Sequence, residues 1–510
     1  MSVDRREFLK IGSFSGLGLL AGSTALGVVR SDAAPDSGKK AYVDRVAFDV
    51  WPNDVRLEPS PLENWPSPVF DDVTVDSILR ALDVQQVAGY NIVDIAGFFA
   101  TYSLPVDIRS AVDGDRQRRI DRIVNAAHDL GVKAIIFPAG VYSWGFDEII
   151  RQNPGLQGSN RHAMCASREE SFEWQKKVVD FALEFGVDGF HLESADQGRC
   201  SCPECEKTWP VNAAYHNYVT SRTATYVKSR KPDAFLSVIL LNWGTWGQDF
   251  SDETKDELVD LSRHVSCIFD QGHRQPYVPK EKRKALVDRL HCRYGTSGGL
   301  WLYPPQRWPR LRWFLPYTQR TGNHIKGLYQ DGGRGIMYYQ GPVNNPGVEV
   351  NVAFGGRMMG DVARSVDDVL AQVLEYLYKP KTAGAHKTLV EMFRRAEESY
   401  FGQWDDARIE EAHHAPPPGE LHATPLFGAS PGPADYLSEP FLVTEGRAAY
   451  KSGLIACLKD VQKLDGQCND DGRIKRIETC LINALGDLST MAYGKGEGAV
   501  WNDSQVGRQF

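Results

Sequence analysis

A short apolar run that ends in charged side chains is the clearest candidate for a chemical site in this sequence. Residues 187–193 read Val-Asp-Gly-Phe-His-Leu-Glu, and Asp196 follows closely. Side chains alternate between the two faces of a strand, so His191 and Glu193 share one face. Burying these groups is costly unless they are paired or used. We therefore predict that Glu193 is catalytic and that His191 is either a substrate contact or a paired core histidine.

A compact cysteine cluster follows directly after this run. Cys200, Cys202 and Cys205 form a C-x-C-x-x-C motif that contains a proline. Thiolates at this spacing can share one centre, and zinc takes four such ligands, of which Cys165 or His162 would supply the fourth. A local disulfide with a spare thiol, or cysteines that only pack, are the alternatives. We expect the turn to be structural, held either by a structural zinc or by a disulfide.

Eight short apolar runs alternate with amphipathic stretches, and this alternation indicates how the polar groups are positioned. Each run is typical of a buried parallel strand. The predicted strands are 45–51, 91–98, 132–138, 188–193, 235–242, 265–270, 299–303 and 336–340. Predicted helices between them include 116–130, 171–185, 213–229 and 280–294, with Gly131, Gly186 and Gly295 at their carboxyl ends.

Eight such units over residues 42–345 match the size of a (β/α)8 TIM-type barrel. A doubly wound sheet is the alternative, but no glycine-rich phosphate-binding motif follows a strand. Beyond residue 345 the strand pattern stops. Residues 362–377, 388–401 and 471–493 are predicted helices, and 416–433 is a loop rich in Pro and Gly. We therefore predict a helical carboxyl-terminal region over 346–510.

The carboxyl ends of the strands in such a barrel converge on the face where active sites lie. The carboxyl ends of the predicted strands carry acidic and aromatic side chains. Rings suit the flat faces of sugars, polar groups bind hydroxyls, and a carboxylate pair cleaves glycosidic bonds without a cofactor. We predict Glu193 and Asp270 as that pair. The predicted substrate contacts are Asp49, Asp94, Trp144, His191, Asn242, Trp243, Trp301, Tyr303 and Tyr338.

The amino-terminal residues have the pattern of a targeting segment. Residues 4–10 read Asp-Arg-Arg-Glu-Phe-Leu-Lys, which resembles a twin-arginine export signal. The stretch 11–29 is too rich in Gly and Ser for a span of ~20 strongly apolar residues. We expect residues 1–34 to be a signal peptide recognised by the twin-arginine export machinery. The mature protein would then be periplasmic or secreted, with no stable membrane anchor.

The net charge narrows the class of binding partner, and the cysteine count limits the possible states of the thiols. The formal net charge is −8 and no basic run follows the leader, which argues against a nucleic-acid partner. A chain that folds in a reducing cytoplasm before export cannot depend on disulfides to fold. With nine cysteines, at least one thiol must stay free, bind metal or pair with another chain.

Residues 189–196, Gly-Phe-His-Leu-Glu-Ser-Ala-Asp, together with the C-x-C-x-x-C motif, resemble barrel proteins of bacterial polysaccharide-degrading systems. These are distantly related to α-glucuronidases and hexosaminidase-like glycoside hydrolases, and a Cys-rich turn follows their fourth strand. Residues 349–353, Met358 and the stretch 365–378 resemble the helical module behind such barrels. The resemblance implies a general acid at Glu193. Enzymes that use the substrate's acetamide carry an Asp directly before this Glu. This chain has Leu192 at that position, which argues against the acetamide mechanism.

The leading hypothesis is an exported glycoside hydrolase that acts on a polysaccharide or oligosaccharide. The predicted seventh strand carries no carboxylate, whereas retaining barrels of the largest clan carry their nucleophile there, so we expect an inverting route. One alternative is a non-catalytic carbohydrate-binding barrel. Another is a metal-dependent exported enzyme in which the cysteine turn belongs to the active site.

Overall fold

The computed structural model describes residues 40–49, 70–99, 103–194, 198–240, 251–271, 280–297, 313–340, 343–401 and 445–490. Its centre is a closed barrel of eight parallel strands that pair in chain order, with β8 closing against β1. The strands are β1 (Asp44–Asp49), β2 (Ile92–Ala96), β3 (Lys133–Phe137), β4 (Gly189–Leu192), β5 (Phe235–Ile239), β6 (Cys267–Gln271), β7 (Arg293–Ser297) and β8 (Gly335–Tyr339). The predicted (β/α)8 barrel is confirmed.

Helices connect the strands and continue after the last one. Those within the barrel sequence are α1 (Asp72–Ala88), α2 (Gly114–Asp129), α3 (Asp147–Gln152), α4 (Glu169–Leu183), α5 (Pro203–Thr208), α6 (Asn212–Arg230), α7 (Asp252–Leu261), α8 (Lys280–Val287) and α9 (Thr318–Gln330). Those after β8 are α10 (Pro346–Gly360), α11 (Val366–Tyr378), α12 (Ala383–Phe401), α13 (Glu445–Leu464) and α14 (Asp471–Thr490). In the described ranges, no helix combines the length and apolar character that crossing a membrane requires.

Most of the strands are apolar on both faces because they separate two hydrophobic layers. In β1, Val46 and Phe48 join Met337 in a cluster inside the barrel, whereas Ala47 packs in the layer between sheet and helices. Strands buried on both faces read as continuous apolar runs, which is why the sequence pattern detects most of them. At two predicted helix ends, Gly131 and Gly186 have positive φ angles of 70° and 69°. That backbone conformation favours glycine.

The seventh strand lies earlier in the chain than the sequence pattern predicts, and the predicted position 299–303 is wrong. Helix α8 ends at Val287, and Gly295 lies inside β7, not at a helix end. A Cβ atom on Gly295 would meet the carbonyl oxygen of Gly335 at 2.1 Å, so the backbones approach too closely for a side chain. The strand reads Arg-Tyr-Gly-Thr-Ser and so has a weak apolar signal. Residues 298–312, with Trp301 and Tyr303, lie outside the described residues.

The helices after β8 form a layer against the barrel. Helix α10 packs on α1 and α9 and so completes the ring of helices. Helix α12 packs on α13, which in turn packs on α14. The helical carboxyl-terminal region is confirmed, although neither α10 nor α13 was among the helices predicted from the sequence. The predicted loop 416–433 lies outside the described residues.

A buried ion pair fastens the last helix to the barrel. Arg473 of α14 donates hydrogen bonds to both carboxylate oxygens of Glu349 in α10, at 2.9 and 2.6 Å. Glu349 is 4% exposed. Two parallel N–H···O bonds make this the strong, geometrically specific form of an Arg–carboxylate contact. The pair therefore joins the terminal helix to the eighth helix of the barrel.

Candidate active site

Glu193 follows β4 directly, at the carboxyl end of the strand. Its side chain is half-buried. Its backbone carbonyl accepts a hydrogen bond of 2.6 Å from the backbone N–H of Val141, which lies in the loop after β3. The carboxyl ends of the strands form the face on which barrel enzymes build their active sites. The local structure therefore ties this acid to the neighbouring β/α loop.

Two residues before Glu193, His191 forms a buried pair with Asp94 of β2. His191 Nδ1 lies 2.9 Å from Asp94 Oδ2, and the side chains are 1% and 0% exposed. Burial raises the pKa of the Asp94 carboxyl above its ordinary value, and the neighbouring His191 opposes that shift. Among the described residues, neither Asp94 Oδ1 nor His191 Nε2 has a hydrogen-bond partner. His191 therefore lies beside Asp94 inside the barrel, and its predicted contact with substrate stays a prediction.

Aromatic rings surround the histidine and reach the end of the barrel. The rings of Phe48 and Phe137 each lie 5.1 Å from the His191 ring, centroid to centroid. Trp144 stacks on Phe137 at 5.5 Å with an interplanar angle of 22°, and it is 6% exposed. The structure thus brings the predicted Trp144, His191 and Asp94 together on the inner side of the barrel.

The loop after β3 positions Trp144 through a tight backbone turn. Gly140 donates a backbone hydrogen bond of 2.7 Å to the carbonyl of Trp144. Tyr142 has a φ angle of 63°, in the left-handed region that is unfavourable for a bulky residue. Its backbone N–H donates to Gln175 Oε1 of α4 at 3.1 Å. These contacts hold the turn, and with it the stack of Trp144 on Phe137.

His216 of α6 supports the segment that carries Glu193, and the sequence analysis did not identify it. Its buried ring donates a hydrogen bond to the backbone carbonyl of Ser194. Burial, with a smaller contribution from the charge of Arg199, lowers the pKa of His216 to about 3. The helical spacing of His216 with the buried Val219 and Thr220 is the sequence signal that places it on the inward face of α6.

His216 predicts a specific pH dependence of stability. The folded protein keeps the ring neutral, whereas the unfolded chain binds a proton below about pH 6.5. The stabilisation is therefore complete above about pH 6.5 and is lost as pH falls towards the folded value of about 3. Between pH 7 and pH 5, we expect His216 to account for a loss of about 2 kcal/mol in the free energy of unfolding.

Denaturant unfolding at the two pH values tests this expectation. His216→Gln keeps a neutral donor and should lose about 2 kcal/mol less than the wild type between them. His291→Gln, at an exposed histidine, is the control and should follow the wild type. Parallel pH dependence of His216→Gln and wild type would refute a neutral, buried His216.

The other predicted contacts fall into three groups. Tyr338 is fully buried on the face of β8 that packs against the helices, so the structure does not bring it to the inner residues. Asp49 ends β1 and Asp270 is the penultimate residue of β6, so the backbone of each lies at the carboxyl end of its strand. Two more lie outside the described residues in addition to Trp301 and Tyr303, namely Asn242 and Trp243.

The structure gathers the four predicted cysteines into one cluster. The Sγ atoms of Cys165, Cys200, Cys202 and Cys205 all lie within 4.8 Å of one another. Cys165 Sγ is 3.7 Å from both Cys202 Sγ and Cys205 Sγ. His162, the alternative fourth ligand, instead contacts the Asp147 carboxylate through Nδ1. Cys165 therefore completes the set.

Local backbone structure produces this convergence. Cys202 is the residue before α5, whose first residue is Pro203, and Cys205 lies in its first turn. The pKa of the Cys202 thiol is lowered to about 7, mainly because the backbone N–H of Cys205 donates a hydrogen bond to its sulfur. A Cβ atom on Gly158 would lie 2.7 Å from Cys200 Sγ, so glycine lets the neighbouring loop approach the cluster.

No protein-family model matches the sequence, and no curated protein matches it significantly. Among solved structures, a GH138 enzyme targeting pectin rhamnogalacturonan II superposes with a TM-score of 0.54 at 10% identity. That match covers 91% of this chain and 73% of the enzyme. A mutant O-GlcNAc hydrolase from Thermobaculum terrenum gives a TM-score of 0.47 at 12% identity, over 92% of this chain and 89% of that one.

The chain therefore shares its barrel fold with this GH138 enzyme. At 10% identity this likeness concerns the fold alone. Function has to be argued from the site, because one barrel fold hosts many chemistries.

Proposed function

We propose that this protein is a glycoside hydrolase that cleaves a polysaccharide or oligosaccharide by carboxylate acid–base chemistry. The observation that carries the proposal is the position of Glu193. Glu193 is half-buried and directly follows β4, at the active-site face of a closed barrel, and its backbone is tied to the loop that carries Trp144. Its role is to protonate the oxygen of the leaving sugar as the glycosidic bond breaks.

The second carboxylate in this proposal is Asp270, close to the carboxyl end of β6. It would accept a proton from water that attacks the opposite face of the sugar. Such an inverting route needs the two carboxyl groups about 6.5–9.5 Å apart. The residues of β7 are Arg-Tyr-Gly-Thr-Ser, so the corrected seventh strand also offers no nucleophilic carboxylate. NMR detection of the anomer released first tests the proposal, and net retention would contradict it.

A glycan panel tests the function itself. Rhamnogalacturonan II belongs in the panel because the enzyme that targets it shares the fold with a TM-score above 0.5. Release of reducing ends by wild type, lost in Glu193→Gln, is the expected result. Glycan binding with no turnover on any substrate would instead identify a carbohydrate-binding barrel. Four thiolates leave no open metal position for a water, which favours acid–base chemistry over a metal-dependent reaction at the cysteines.

The remaining predicted rings give a separate prediction. Trp243→Ala and Trp301→Ala should each weaken glycan binding by roughly 5- to 10-fold, since one stacked ring contributes on the order of 1 kcal/mol. The melting temperatures of both variants should stay close to that of wild type. Trp174→Ala is the control, because Trp174 lies on α4 outside the barrel and is packed under Lys177. Unchanged binding with a large loss of stability would assign these tryptophans to the core.

We further propose that the protein is exported by the twin-arginine route. The support is the Arg5-Arg6 pair ahead of a mildly apolar stretch. Cell fractionation tests this proposal, because replacing both arginines with lysine should retain the chain in the cytoplasm. Export of that variant at the wild-type level would contradict the route.

A further inference from the structure

We propose that Cys165, Cys200, Cys202 and Cys205 bind one structural zinc ion. The ion would clamp the connection between β3 and α4 to the connection between β4 and α5. The inference rests on the sulfur geometry and does not depend on the proposed glycosidase activity. Its consequence for the molecule is a fixed position for the cysteine turn, residues 200–205, beyond β4.

The distances between sulfurs match a tetrahedral metal site. Zinc–sulfur bonds of about 2.3 Å at tetrahedral angles separate neighbouring sulfurs by about 3.8 Å. Cys165 Sγ lies 3.7 Å from two of its neighbours, and all four sulfurs lie within 4.8 Å of one another. A disulfide joins two sulfurs at about 2.05 Å and gives the other two no reason to converge. Four sulfurs around one point are the arrangement that one metal ion requires.

The surroundings of the sulfurs suit a closed metal site. Cys165, Cys200 and Cys205 are buried and Cys202 is half-buried, so the cluster is largely closed to solvent. The backbone N–H of Ser159 donates to Cys200 Sγ at 3.4 Å. Donors that point at ligand atoms orient and stabilise them, as outer-shell contacts of metal sites do. Gly158 permits this contact because it has no side chain to displace Cys200.

The donor set selects the metal. Soft thiolates exclude magnesium and calcium, which require oxygen ligands, and four of them in a tetrahedral set suit zinc or iron. We assign zinc because closed all-cysteine sites are a common structural form of that ion. With four protein ligands, no position remains for water or substrate, so the ion would be structural.

The metal content of the full chain, purified without chelators, tests the assignment. We expect about one zinc per chain in wild type by elemental mass spectrometry. Cys205→Ser should lose most of it. Cys457→Ser is the matched control, because Cys457 is equally buried but lies in α13 among the carboxyl-terminal helices. That control should keep its zinc.

Cobalt substitution of the wild-type chain keeps the test decisive if Cys205→Ser fails to fold. Cobalt bound by four thiolates gives strong sulfur-to-metal charge-transfer absorption and red-region bands of tetrahedral sites, and we expect both. Thiol titration should also show four cysteines that become reactive only after chelation. Free reaction of these thiols without chelator, a disulfide among them in peptide mass spectra, or iron in place of zinc would overturn the assignment.

Discussion

Glu193→Gln is expected to lower turnover on a native glycan by about 100-fold or more, which is the scale of losing a positioned general acid. The amide fills the same space but cannot give a proton to the leaving oxygen. Gln keeps the size of the side chain and the backbone contact with Val141, so the melting temperature should stay close to that of wild type. Steady-state kinetics together with thermal unfolding measure both quantities.

Leaving-group chemistry separates acid catalysis from a general disturbance of the site. An aryl glycoside with a nitrophenolate leaving group needs little protonation, so the defect of Glu193→Gln should shrink on that substrate. Glu253→Gln, at an exposed glutamate in the first turn of α7, is the control and should leave kinetics unchanged. A variant with full activity on the native glycan, or one with the same defect on both substrates, would remove Glu193 from the acid role.

The second large effect concerns stability. Glu349→Gln is expected to lower the free energy of unfolding by about 3 kcal/mol, because it leaves the guanidinium of Arg473 largely buried without its bidentate partner. Arg473 is only 17% exposed, although it keeps a contact with Asp470. That remaining contact places our estimate at the low end of the range for breaking a buried ion pair. Denaturant unfolding measures the change.

A surface pair provides the comparison. Arg109 and Glu184 also form two hydrogen bonds, but their side chains are 68% and 44% exposed. Solvent screens such pairs, so Glu184→Gln should cost about 0–1 kcal/mol. Replacing both Glu349 and Arg473 with apolar residues of similar size should recover part of the loss, since no buried charge is then left alone. Equal losses at the two sites would contradict the role of burial.

Most of the barrel could be predicted because strands buried on both faces have a strong local pattern. Strand β4 and its acid were identified in this way. Strand β7 was missed because it reads Arg-Tyr-Gly-Thr-Ser and has little apolar character. At Gly295 the close approach of the Gly335 backbone leaves no room for an apolar side chain. The more apolar residues 300–303 then gave the stronger signal. A contact between two strands is not visible in the composition of either.

In the site, too, local patterns identify some residues, whereas contacts between distant elements cannot be predicted from them. Cys165 could be assigned to the cysteine set because adjacent β/α loops are neighbours in any barrel of this type. The pairing of His191 with Asp94 joins β4 to β2 across the interior, and no spacing within one strand predicts it. The contact of His216 with Ser194 likewise depends on how α6 packs, although helical periodicity places His216 on the buried face.

The link between α10 and α14 bears on how this protein can be divided for expression. A fragment that stops after the barrel helices would expose the face of α10 that α14 covers and would strip the Glu349 carboxylate of its arginine. Truncation should therefore yield insoluble or unstable material, and fusion partners belong beyond α14. For the same reason, heating should melt the barrel and its terminal helices in one cooperative transition. The two parts should therefore be kept together when the protein is engineered.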